Sequence, residues 1–145
     1  MKYLFKKICI ASDHAGFKLK EQIKNFLINK NLSIIDLGPM NNDSVDYPDY
    51  AKKVSNRVKS KKSDLGILIC GSGTGMAISA NKTRGIRAAV CYSLKSTLLS
   101  RQHNDANIIA IGARFTRKNV ALKILNTFLS TKFEKGRHLR RVRKI

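Results

Sequence analysis

Short apolar runs alternate with amphipathic stretches along the whole chain, and this rhythm limits the fold more than any other feature. The runs at residues 8–11, 33–37, 65–69, 86–91 and 108–111 have the length and branching of buried strands. Between them, residues 16–30 carry Leu19, Ile23, Phe26 and Leu27 at helical spacing, and Ala51, Val54 and Val58 give a second helix a narrow apolar stripe. Residues 76–82, 94–104 and 120–129 read as further helices, while Gly38-Pro39 stops the second strand and opens a polar loop over 40–48. Strands joined through helices run parallel, and a parallel sheet is covered on both faces. With no repeat or linker, 145 residues make one domain and are too few for two. The expected fold is α/β: a single αβα domain over residues 1–145, with a five-stranded parallel Rossmann-like sheet in flavodoxin-like order and a basic tail over about 132–145.

Composition narrows the setting. No apolar run approaches the ~18 residues that would span a membrane, and Lys6 and Lys7 interrupt the N-terminus before a signal-peptide core can form. Three cysteines without a C-x-x-C pair favour a reduced, cytoplasmic protein with no disulfide and no zinc site. The three histidines have no metal-ligand spacing among them. The net charge of +20 admits three readings: a nucleic-acid surface, a lysine-rich solvated exterior, or a few arginines that hold a phosphate. Composition does not choose among them.

The chemistry concentrates at one stretch. Residues 65–69 run into Cys70, then glycines at 71, 73 and 75 alternate with Ser72 and Thr74 before a helix begins. Such a strand–turn–helix presents backbone N–H groups at a helix N-terminus, a cradle for an anion, with a thiol at its lip. The alternative is a structural turn around a buried, inert cysteine. Asn81 precedes Lys82, so the Walker pattern fails; the third glycine comes one residue early for a dinucleotide fingerprint; and Met76 stands where a cysteine phosphatase has arginine. Ligands of open α/β sheets sit beyond the carboxyl ends of the strands, near a topological switch point. Asp13 and His14, Cys70 and Arg114 all follow strands at that edge.

Taken together, Ser12-Asp13-His14-Ala15-Gly16-Phe17, Asp46-Tyr47-Pro48-Asp49-Tyr50-Ala51, the Cys70–Gly75 turn, Ala80-Asn81-Lys82, Arg101-Gln102-His103-Asn104-Asp105 and Gly136-Arg137-His138 closely resemble the B-type ribose-5-phosphate isomerases, whose family includes galactose-6-phosphate isomerase subunits. The likeness runs nearly end to end. It implies a cofactor-free, metal-free aldose–ketose isomerisation through a cis-enediolate, with a sugar phosphate as the partner molecule. By that resemblance Cys70 is the base, in place of a glutamate that some members carry where this chain has Met76. Ser72 orients the base or the substrate, and the N–H groups of Gly71, Gly73 and Gly75 bind the enediolate oxygens. His103, with Asp13 near it, opens the ring. His14, Arg137, Arg141 and Arg114 form the phosphate site, and Tyr47 and Asn104 line the sugar pocket.

Plainer roles stand beside these. Asp13 can cap the following helix, His103 can complement a helix dipole, and Arg114 can be a surface charge. Arg140, Arg143 and Lys144 read as solvated charges, and Cys9 and Cys91 as core residues inside strands. A nucleic-acid-binding protein and a non-catalytic sugar-phosphate sensor are the competing classes. Neither nucleic acid nor membrane is the expected partner. His103 ends the helix that leads into the fifth strand, whereas Cys70 ends the third, so the two face opposite edges of the sheet. A homodimer, or a tetramer built from it, with active sites shared between subunits is therefore expected.

Overall fold

The structure is a computed structural model describing residues 1–145. Its elements follow the order β1 (Lys7–Ser12), α1 (Phe17–Ile28), β2 (Ser33–Asp36), α2 (Tyr47–Lys59), β3 (Leu65–Cys70), α3 (Thr74–Asn81), β4 (Ala88–Val90), α4 (Leu94–Asn104), β5 (Ile108–Gly112), α5 (Lys118–Ser130) and α6 (Gly136–Val142). All strand pairs are parallel, in the order β2-β1-β3-β5-β4. This shares the 2-1-3 start of a flavodoxin-like sheet, with β5 inside and the three-residue β4 at the edge. The expected parallel αβα architecture is the one observed.

Side-chain alternation splits the interior into two layers. Ile8 and Ile10 of β1, Ile67 and Ile69 of β3, and Ile109 and Ile111 of β5 face a layer that includes Ile23 and Leu27 of α1 and Ile124 and Phe128 of α5. Cys9, Ala11, Leu68, Cys70 and Ala110 face the other, with Val54 of α2 and Met76 and Ala80 of α3. The central strands are buried on both faces, which is why they read as unbroken apolar runs. Small residues dominate the second layer near Cys70, so α3 can settle close to the sheet. No helix is long and apolar enough to cross a membrane.

Several boundaries differ from the sequence expectation, three of them near the functional residues. Helix α3 begins at Thr74, two residues before the apolar pattern starts, because the glycine turn closes directly into it. Strand β4 spans only Ala88–Val90, leaving Cys91 buried just past its end. Residues 136–142 form α6, a helix whose charged sequence hides its start; Gly136 there has φ +46°.

Candidate active site

The sheet order makes β1 and β3 the switch point, since the chain leaves β1 toward β2 on one side and returns to β3 on the other. Two loops meet there. The Asp13 N–H donates to Ile69 O at 3.0 Å, tying the end of β1 to the end of β3. A Cβ on Gly16 would lie 2.5 Å from Ile69 O, so only glycine lets α1 start against that strand. The Asp13 carboxylate accepts the Gly16 N–H at 2.9 Å. Its local role at the helix entrance is therefore present, although Gly16 is the formal cap.

Cys70 closes β3 with its side chain almost buried, and its Sγ accepts the Gly73 N–H at 3.1 Å. Gly73 holds φ +80°, the left-handed conformation that turns the chain into α3. The Ser72 Oγ accepts the Thr74 N–H at 3.2 Å. The first N–H groups of any helix lack intrahelical acceptors, so those of Gly75 and Met76 extend the donor set next to the sulfur. Two side chains flank this cradle. The Tyr47 ring packs so near Gly75 that a Cβ there would come within 2.8 Å of it, and the Arg114 guanidinium stands equally near Gly71. Arg114 is held in register by its own N–H, which donates to Gly71 O at 3.0 Å. His14 is exposed nearby, its Nδ1 accepting the Val45 N–H at 3.3 Å. Thus Asp13, His14, Tyr47, Cys70, Gly71, Ser72, Gly73, Gly75 and Arg114 gather at one edge.

The remaining predicted residues gather at the other. Cys70 pairs with Gly112 at the end of β5, whereas α4 delivers His103 and Asn104 ahead of Ile108, which pairs with Gly66. Four strand steps of roughly 3.3 Å separate these levels by about 13 Å. The end of α4 is locked: Arg101, nearly buried, donates to Asp105 Oδ1 at 2.8 Å and Ala106 O at 2.6 Å, and Asp105 adopts the left-handed cap with φ 45°. Arg87 reaches the same turn through Asn104 O and Asp105 O. Helix α6 packs on this end. The His103 and His138 rings stack with centroids 4.1 Å apart, and their Nε2 atoms lie 4.0 and 3.7 Å from Glu134 Oε2. Arg137 and Arg141, four residues apart on α6, are exposed beside them. Burial, reinforced by the charges of His103, Arg137 and Arg141 against that of Glu134, holds the His138 imidazole below its usual range.

Sequence reasoning gave no individual role to Arg101, Asp105, Glu134 or His138. Arg101 and Asp105 are neighbours of His103, so their four-residue spacing at a helix end was the available signal. Nothing local marks the meeting of His103 with Glu134 and His138, which depends on α6 folding back onto α4.

The Ribose/Galactose Isomerase family model matches residues 8–145. The chain belongs to this family. Among its relatives, ribose-5-phosphate isomerase B of Escherichia coli is 44% identical over 140 residues, covering 97% of this chain and 94% of that protein. The ribose 5-phosphate isomerase of Thermotoga maritima superposes with a TM-score of 0.95 at 51% identity, covering 98% of this chain and 97% of the other. A Mycoplasma genitalium ribose-5-phosphate isomerase B with bound ribulose-5-phosphate superposes at 0.91 and 43% identity, covering 99% and 95% of the two chains. These family members match this chain over both edges of the sheet and α6.

Proposed function

We propose that the chain is a ribose-5-phosphate isomerase that interconverts D-ribose 5-phosphate and D-ribulose 5-phosphate without a cofactor, in the pentose phosphate pathway. The observation that carries the chemistry is the Cys70 sulfur set against the Gly73 N–H inside a helix-capping glycine turn. Cys70, as thiolate, takes the proton from C2 of the open-chain aldose and returns it to C1. Charge develops on the enediolate oxygens, where the N–H groups of Gly71 to Gly75 receive it; one such donor is worth about 3 kcal/mol. Ser72 orients the reacting groups. Across two copies of the chain, His103 of one opens the sugar ring with Asp13 of the other, Arg137 and Arg141 of the first join His14 and Arg114 of the second on the phosphate, and Asn104 and Tyr47 line the sugar pocket from the two sides.

The acting unit in this reading is a homodimer. Acid and base must both reach one small sugar, and the separation of Cys70 from His103 across the sheet supports a partner that brings its α4–α6 edge over the glycine turn. Exposed Ile78 on α3 and Leu94 and Leu98 on α4 supply apolar surface for such a contact. The three free, buried cysteines support a cytoplasmic setting. The excess positive charge is assigned to phosphate capture and solvated surface rather than to nucleic acid.

The test is an isomerase assay on ribose 5-phosphate beside allose 6-phosphate and galactose 6-phosphate, in buffer containing a chelator. Turnover of the pentose phosphate at undiminished rate is expected. No pentose turnover, or a rate abolished by the chelator, would reject the reading.

A further inference from the structure

We propose that His103, Glu134 and His138 form a binding site for a divalent transition-metal ion of the Zn2+ class, and that its occupation reversibly stops the isomerase. The inhibition rests on the assignment of His103 to ring opening; the site does not. The ligating atoms of the three side chains all lie within 4.8 Å of one another. Both Nε2 atoms converge on the same carboxylate oxygen, Glu134 Oε2. Two imidazoles and one carboxylate are a donor set that zinc takes with a fourth position open, at bonds of about 2.0–2.2 Å.

The scaffold under the three groups is fixed. The Glu134 N–H donates to Gln102 O at 3.0 Å, and Arg101 ties α4 to Thr131 O on the segment leading to Glu134. His138 is buried by this packing, while His103 is about a third exposed. The rings are stacked at 11° between planes, so an ion lying in the plane of one ring lies off the plane of the other. Binding therefore needs one movement, a turn of the more exposed His103 ring toward Glu134. Arg137 and Arg141 oppose a cation here, but both are exposed and screened by salt. Imidazole ligation selects Zn2+, Cu2+, Ni2+ or Co2+ over Mg2+ and Ca2+.

The test titrates Co2+ into the intact protein, following its visible absorption, and repeats the titration on Glu134→Gln, His138→Gln and Cys70→Ala. Wild type and Cys70→Ala should bind one ion per chain, and Mg2+ should not compete. Either Glu134→Gln or His138→Gln should weaken binding by more than the roughly tenfold typical for loss of an outer-shell partner. Glu134 is half exposed, so its variant tests the site even if His138→Gln misfolds. Binding that is absent, that survives both substitutions, or that needs Cys70 would overturn the site. In parallel, Zn2+ should abolish isomerase activity and a chelator should restore it. If Co2+ binds with the stated residue dependence while saturating Zn2+ leaves turnover intact, the inhibition is overturned and the role of His103 falls with it. An inactive His103→Ala enzyme beside a wild type that binds no Co2+ would reject the metal site while upholding that role.

Discussion

Cys70 differs from the other two cysteines in what meets its sulfur. Burial pushes the Cys9 thiol up to about 11, against smaller opposing effects of Ser63 and Arg57, and raises that of Cys91 against Thr97 and Ser100. Both side chains are fully buried, away from any donor cradle. Replacing Cys70 by alanine should lower kcat by about 10²–10⁴, the usual share of a positioned base, with KM little changed. Cys9→Ala should keep its kcat and lose about 1–2 kcal/mol of stability through the cavity it leaves. A Cys70→Ala enzyme that retains a tenth of wild-type kcat would remove Cys70 from the role. On α6, Arg137→Ala or Arg141→Ala should raise KM for sugar phosphates by roughly tenfold or more, the worth of a charged hydrogen bond of about 1.5–3 kcal/mol. Arg143→Ala should change KM by less than a factor of about two, since an exposed charge away from the site contributes little; equal effects at all three would point to a diffuse electrostatic role. Cys70 and its glycines were legible because strand, turn and helix are contiguous. Glu134 and His138 were not, because their meaning lies in a contact between distant segments.

Helix α1 carries the clearest departure from its pattern. Its apolar face was read as Leu19, Ile23, Phe26 and Leu27, and all but the half-buried Phe26 are buried. Lys20, next to them, is fully buried as well. Hydropathy periodicity has no means of announcing this, because the partner is Asp36 at the far end of β2. The Lys20 Nζ lies 2.7 Å from Asp36 Oδ2 and 2.9 Å from Pro39 O, and Lys24 joins at 2.8 Å. The network pins the start of the loop whose Val45 N–H reaches His14. Burial pushes the Asp36 carboxyl up, but hydrogen bonds from Lys20, Lys24 and the Gly38 N–H, with the Lys20 charge, hold it below the usual carboxylate range. A depressed carboxyl stabilises the fold above its unfolded value near 3.8 and loses that contribution as pH falls toward the lower folded value. Urea midpoints should therefore drop below about pH 4 in wild type. Lys20→Met, which leaves Asp36 with Lys24 alone, should cost about 3 kcal/mol, the lower end for breaking a buried pair. It should also flatten the acid side of the stability profile. An unchanged midpoint at neutral pH would mean that Lys24 carries the network.

At the scale of the whole molecule, the sheet decides which residues can act together. Parallel strands and helical returns were readable from alternation, and with them the carboxyl edge that holds Asp13, Cys70 and Arg114. The interior position of β5 was not readable, because β4 and β5 are both apolar runs of similar length in the sequence. The placement of His103 depends on neither, since any helix that leads into a parallel strand ends at the amino edge. One chain thus holds the Cys70 sulfur with its N–H cradle on one edge, and His103 with two exposed arginines on the other. Activity in this reading needs two copies that complete each other. Co-expressing differently tagged Cys70→Ala and His103→Ala chains and purifying the mixed dimer tests this most directly. Each homodimer should be inactive, whereas the mixed dimer has one site with both lesions and one with neither. Recovery to about half the wild-type activity per dimer is expected; a purified mixed dimer as inactive as its parents would contradict the shared site.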